Sequence, residues 1–173
     1  MKQKFILLLI LILSINNSYS QFNKRNKDCP IDHRCYLTSN IDEFEEVKTY
    51  QINFETFLSG RPKLTYNLAR ISKDGLNRYF MTFVQPVEGC RTKDSYVYIM
   101  FENGNKVKIP NAYTEIDCGT SFIIVDITDY LEEFKTNTIT KIRVNIEYTL
   151  DFDINKPLYE NFSKNLTCIS TAI

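Results

Sequence analysis

The densest gathering of reactive side chains in the sequence is Cys29-Pro30-Ile31-Asp32-His33-Arg34-Cys35, which sets two thiols and a carboxylate around the chain's single histidine. A thiolate nucleophile needs an imidazole beside it and a third group to orient that imidazole, and adjacency within one short loop does not supply this arrangement. A structural zinc site needs four ligands, usually in paired elements such as CxxC, and that spacing is absent here. Two thiols flanking a proline are also what a small disulfide-closed loop looks like, with His33 left exposed on it. This is the reading the segment favours. With one histidine in the chain, any Ser/His/Asp or Cys/His mechanism must run through His33.

Other constellations weaken when their neighbours are read. Asp151, Asp153 and Asn155 resemble the opening of a calcium loop, but Lys156 stands where the turn glycine belongs and Phe162 where the bidentate Glu belongs. The three residues read better as the wet face of a strand. Five glycines form no phosphate-binding loop, and neither GxSxG nor HExxH occurs, so no cofactor or metal is expected. Asp117, Asp126 and Asp129 lie at expected strand ends; they would serve glycoside hydrolysis only if the fold set a pair of them ~5–9 Å apart. Of the 11 Tyr and 12 Phe, most Phe fall at core positions, so exposed Tyr would carry any ligand platform. Tyr96 and Tyr98 share one face of their strand and are the named candidates for contact with a sugar or peptide. Asn161-Phe162-Ser163 and Asn165-Leu166-Thr167 fit the glycosylation acceptor pattern.

The N-terminus indicates where such chemistry would operate. Lys2 and Lys4 precede an uncharged run from Phe5 to Leu13, and Asn16 and Asn17 interrupt the apolar character before small residues at Ser18 and Ser20. The run is short of the ~20 apolar residues a membrane span requires, so residues 1–20 read as a secretory signal peptide cleaved before Gln21. No second apolar stretch of spanning length follows, and a secreted or periplasmic protein without a stable membrane span is expected. The whole chain balances 21 Lys+Arg against 21 Asp+Glu. Loss of Lys2 and Lys4 tips the mature protein slightly acidic, which argues against a nucleic-acid partner. In an oxidising compartment the five cysteines point to bridges. Many pairings are open, and the favoured ones are Cys29 with Cys35 and Cys90 with Cys118, leaving Cys168 as the odd thiol.

Residues 21–40 read as a flexible, Cys-containing lead-in, and residues 41–173 as a single β-rich domain. The acidic stretch Asp42-Glu43-Phe44-Glu45-Glu46 suggests a short helix capped at Ser39. Beyond it strands dominate. Tyr50, Ile52 and Phe54 alternate with polar residues, as do Leu64, Tyr66 and Leu68. Lys73-Asp74-Gly75 marks a turn, and Tyr79 to Val84 is apolar on both faces, as a strand in mid-sheet would be. Tyr96–Phe101 and Lys106–Ile109 flank Asn103-Gly104, a hairpin signal of the type I′ kind, with Pro110 ending the second strand. Asp129 is placed to cap a short helix reaching Lys135. Every even position from Ile142 to Ile154 is apolar and the intervening odd positions are polar, a run long enough to require a bend or bulge. Tyr159, Phe162, Leu166 and Ile169 fall at helical spacing after Pro157, suiting a short C-terminal helix.

Strands at regular intervals, with few helices, predict a mainly β fold: a two-layer antiparallel β-sandwich-like domain with one or two short helices, or failing that an α+β domain. The succession from Tyr79 to Cys168, with its Asn-Gly hairpin, the helix Asp129 to Lys135 and Ile139-Thr140-Lys141-Ile142-Arg143-Val144, resembles small exported β-rich proteins of unassigned function from Bacteroidetes. The signal-peptide ending Tyr19-Ser20-Gln21 is similar to theirs. That resemblance implies an exported, mostly β, non-catalytic-looking domain and brings no functional residues. The expected function is a non-catalytic module binding an extracytoplasmic protein, peptide or glycan. The alternative is a small exported hydrolase or thiol enzyme using His33.

Overall fold

Alternating apolar and polar residues place one face of each strand in a core, and a computed structural model of the chain shows two antiparallel sheets sharing that core. It describes residues 37–56 and 63–172. The strands are β1 (Leu37–Asp42), β2 (Val47–Thr56), β3 (Thr65–Lys73), β4 (Leu76–Arg91), β5 (Tyr96–Phe101), β6 (Lys106–Pro110), β7 (Asp117–Asp126), β8 (Ile139–Asn145) and β9 (Thr149–Asp153). One sheet has the order β1-β2-β3-β4-β7 and the other β6-β5-β8-β9. The fold is mainly β and sandwich-like, with two helices, α1 (Leu131–Thr136) and α2 (Lys156–Thr171). The signal-peptide reading of residues 1–20, the proposed Cys29–Cys35 loop and His33 lie outside the described residues. β1 already begins at Leu37, so the last part of the expected lead-in belongs to the first sheet.

The main core draws Tyr66, Leu68, Met81, Phe83, Ile123 and Val125 from the five-stranded sheet. From the other sheet it takes Val97, Ile99, Ile142, Val144 and Phe152. Alternation puts Ala69, Ile71, Phe80 and Ile124 on the opposite face of the larger sheet, in a second apolar cluster with Val47 that Ala112, Tyr113 and Phe122 join. This double burial explains why Tyr79 to Val84 carries apolar residues on both faces: β4 sits between β3 and β7 with both faces covered.

The C-terminal helix seals the core beside β2 and β3. Its apolar stripe of Tyr159, Phe162, Leu166 and Ile169 is buried, and the Asn155 side chain accepts from the Leu158 N–H at 3.2 Å to cap its first turn. At the other end Arg70 of β3 donates to the carbonyls of Ser170 (3.3 Å) and Ala172 (2.6 Å). The guanidinium supplies both donors and a positive charge where the helix presents its negative end. Phe134 of α1 packs edge-on to Phe101, with ring centroids 5.7 Å apart, and the Tyr159 hydroxyl donates to the Phe134 carbonyl at 3.2 Å, locking the two helices together.

Several local expectations are corrected. The acidic stretch is a hairpin turn between β1 and β2 rather than a helix: Asp42 Oδ1 accepts from the N–H groups of Phe44 (3.0 Å) and Glu45 (3.1 Å), and Glu46 closes the turn at φ 53°. An Asp side chain that satisfies two successive N–H groups offers the backbone a turn in place of a helix. Asn103-Gly104 does form a hairpin, but only Gly104 has positive φ (85°). Gly104 N–H donates to Phe101 O, and Phe101 N–H to Asn105 O, each at 3.0 Å, the pattern of a type I turn followed by a glycine bulge. The short helix after β7 begins as a 3-10 turn at Thr128–Tyr130, and Asp126, not Asp129, holds it by accepting from Thr128 N (3.0 Å) and Oγ1 (2.6 Å).

The long alternation from Ile142 to Ile154 is two strands rather than one bent one. β8 and β9 are joined by Ile146-Glu147-Tyr148 and pair so that Asn145 faces Thr149. Because paired residues four apart lie on the same face, the reversal preserves odd-even parity, and the pattern runs through it unbroken. This turn also explains Gly89 of β4: a Cβ there would lie 2.9 Å from Glu147 Cβ, and the Glu147 carboxylate accepts from the Cys90 N–H at 2.9 Å. Side-chain bulk at Gly89 would push the β8–β9 turn away from β4.

Candidate ligand-binding face

The outer face of the four-stranded sheet is built by the strand positions that the core does not take. The register aligns Lys108, Tyr98, Arg143 and Asp151 in one row across all four strands. A neighbouring row holds Pro110, Tyr96, Asn145 and Thr149, and on the other side lie Lys106, Met100, Lys141 and Asp153. Tyr96 and Tyr98, the tyrosines singled out from the sequence, stand edge to face with centroids 5.1 Å apart, and Tyr98 is 37% exposed. Lys108 Nζ lies 4.2 Å from the Tyr96 ring centroid and 5.6 Å from that of Tyr98, so the ammonium rests on the negative faces of the rings.

Beside the rings, Arg143 grips Asp151 through two hydrogen bonds, Nε to Oδ1 at 2.6 Å and Nη2 to Oδ2 at 2.7 Å. These bonds hold the Asp151 carboxyl below its ordinary value and raise the guanidinium of Arg143. Lys141 pairs with Asp153 at 3.2 Å, and Asn145 Nδ2 donates to Thr149 Oγ1 at 2.6 Å. Asp151 and Asp153, which resembled part of a calcium loop, are thus cross-strand ion-pair partners, while Asn155 is a helix cap. Among the described residues no group of His, Cys, Asp or Glu is placed to hold a metal ion. The chemistry this face offers is stacking on two rings, flanked by charged and amide hydrogen-bonding groups. Lys108 and Arg143 were not singled out from the sequence, and Asp151 was weighed only as a calcium ligand, although their alternation with core residues was the available signal.

The other candidate residues are dispersed. Cys90 and Cys118 are bridged, with Cα atoms 3.9 Å apart, tying β4 to β7 as their positions suggested. Cys168 is disulfide-bonded as well, which corrects its reading as the odd thiol; its partner lies outside the described residues. Asp117 pairs with Arg91 at 2.8 Å and Asp126 with Arg78, so both carboxylates serve ion pairs. Arg91 is buried at 1% exposure, its guanidinium lying between the rings of Tyr113 and Phe122 at 4.6 and 4.5 Å. Desolvation lowers its affinity for the proton, with the Asp117 charge opposing. The acceptor asparagines of both sequons are engaged on α2: Asn161 Nδ2 donates to Glu55 at 3.0 Å, and Asn165 Nδ2 donates to the Tyr66 hydroxyl at 2.9 Å. At 1% exposure, Asn165 has no room in this fold for an attached glycan.

No helix among the described residues is long and apolar enough to cross a membrane. No model of a known protein family matches the chain, and neither a curated protein nor a solved structure does.

Proposed function

We propose that the protein is an exported, non-catalytic β-sandwich-like module that binds an extracytoplasmic glycan, peptide or protein segment on the outer face of its four-stranded sheet. The observation that carries this reading is the placement of Tyr96 and Tyr98 in mid-face, with Lys108 on one side and the Arg143–Asp151 pair on the other. An open face of this kind suits an extended chain laid across strands better than a small molecule, which needs a cleft to bury most of its surface. Export is supported by the sequence from Met1 to Ser20, with its lysines, apolar run and small residues.

Glycan and peptide arrays probed with the purified protein test the reading. The expected result is a set of related ligands retained by the native protein and lost by Tyr96→Ala and Tyr98→Ala with no fall in melting temperature, and with N-terminal sequencing of the exported protein starting at Gln21. Equal retention by the tyrosine variants, or turnover of an ester, peptide or glycoside that His33→Ala abolishes, would overturn it.

A further inference from the structure

Far from the tyrosine face, the β1–β2 turn holds the most exposed large apolar side chain among the described residues: Phe44 is fully exposed at 100%, and Ile41 at 59% stands beside it on the hairpin. Leaving a phenyl ring in water forgoes the hydrophobic gain of burying it, and here the ring is held out by a turn. Asp42 accepts from two of the turn's N–H groups, Glu46 adopts positive φ, and Glu45 is tied to Lys73 of the adjoining strand at 3.0 Å. At the base of the ring lies a hollow of about 370 Å³ whose apolar lining is Ile41, Phe44 and Val47, with Asn40, Asp42 and Glu43 also bordering it. A projecting ring beside an apolar hollow is the form of a protein-docking anchor.

The charge around it decides what docks. Asp42, Glu43, Glu45 and Glu46 belong to this turn and Asp74 sits in the neighbouring β3–β4 turn, outnumbering the nearby cations Lys48, paired in register with Ile41, and Lys73, bound to Glu45. A second copy of the chain would bring like charges face to face, and an anionic membrane surface would repel them. We propose that the β1–β2 turn docks on a partner protein through a segment that presents Lys or Arg beside an apolar side chain. The apolar residue packs against Phe44, while the stem of the basic residue lies over Ile41 and its cation reaches the rim carboxylates, as long cationic side chains do on apolar surfaces. This surface is independent of the tyrosine face.

The test is a chemical-shift titration of the purified protein with the peptide acetyl-Lys-Leu-Lys-Trp-Lys-amide. Its controls are the peptide with Glu in place of Lys and the peptide with Gly in place of Leu and Trp. The inference expects shifts confined to the β1–β2 turn with the first peptide, weak or absent with both controls, about tenfold weaker in Phe44→Ala and unaltered in Tyr98→Ala. Glu43→Lys should weaken binding in the same direction, and both positions are exposed enough that folding is retained. Shifts spread over other acidic surfaces, an undiminished affinity in Phe44→Ala, binding of the glycine peptide at this turn with equal strength, or concentration-dependent dimerisation abolished by Phe44→Ala would each overturn it.

Discussion

Arg70 Nη2 donates to the carbonyl of Ala172 at 2.6 Å, joining the middle of the larger sheet to a helix end 102 residues later in the chain. Its second donor serves Ser170, and the guanidinium lies 4.1 Å from the Tyr50 ring centroid. Replacement by Met keeps much of the apolar volume but removes both donors and the charge. Hydrogen bonds from a charged donor contribute about 1.5–3 kcal/mol each, and burial of the unpartnered Nε offsets part of this. Arg70→Met should therefore lower stability by about 2 kcal/mol in urea denaturation. The amides of the last turn of α2 should lose hydrogen-exchange protection first.

The bridge between Cys90 and Cys118 closes a loop across a sequence separation of 28. Restricting an unfolded loop of that size is worth about 3–4 kcal/mol. The double variant Cys90→Ser/Cys118→Ser should lose that much in equilibrium denaturation without reducing agent, while keeping the native far-UV circular dichroism spectrum. An unchanged midpoint would mean that the unfolded chain is restrained in some other way.

Alkaline conditions should weaken the fold. Burial pushes the Tyr66 phenol far above its ordinary value, and burial also raises Tyr159 and Tyr113. Below the ordinary phenol value of about 10 both states hold these protons and stability is unaffected; above it the unfolded chain releases them while the folded chain keeps them. Stability must then fall as pH rises, by up to about 1.4 kcal/mol per pH unit for the buried Tyr66, with smaller contributions from Tyr113 and Tyr159. Urea midpoints measured on either side of about pH 10 should show the decline, and Tyr66→Phe should make it shallower, even though it also loses the bond from Asn165.

On the acid side the exposed ion pair gives a spectroscopic rather than an energetic readout. Asp151 is held low first by its hydrogen bonds from Arg143, so its contribution is present above the ordinary carboxylate value and disappears as pH falls through the depressed one. A carbon-detected titration of the Asp151 carboxyl should show a midpoint below the ordinary carboxylate value, and Arg143→Gln should raise it. An unmoved midpoint in that variant would show that the pair does not persist in solution.

Where one face of a strand is buried and the other wet, the sequence announced the element. β5, β6 and the apolar positions of β8 and β9 follow directly from their alternation, and Asp74-Gly75, with φ of 54° and 76°, forms the turn its residue types suggest. What misled was chemistry that two structures share. Acids around Phe44 suit a helix start as well as a turn, and only the bonds from Phe44 and Glu45 to Asp42 separate the two. The β8–β9 reversal was invisible because Ile146-Glu147-Tyr148 contains no Gly, Pro or Asn and keeps the parity of the strands it joins. Tyr96 and Tyr98 could be placed on one face from spacing alone. Their neighbours Lys108, Arg143 and Asp151 come from three other strands, and only the pairing register brings them together.

That register also gives the tyrosine face a direction. Crossing the sheet from β6 to β9, the face presents Lys106 and Lys108, then the two rings, then the basic residues of β8, and ends at Asp151 and Asp153. The cations of β8 are neutralised by those two aspartates, whereas Lys108 of β6 rests on the aromatic rings. The two ends of the platform are therefore inequivalent. On the ligand-binding reading proposed above, a polymer with an anionic terminus would lie with that terminus over β6, and the same polymer reversed would forfeit the attraction.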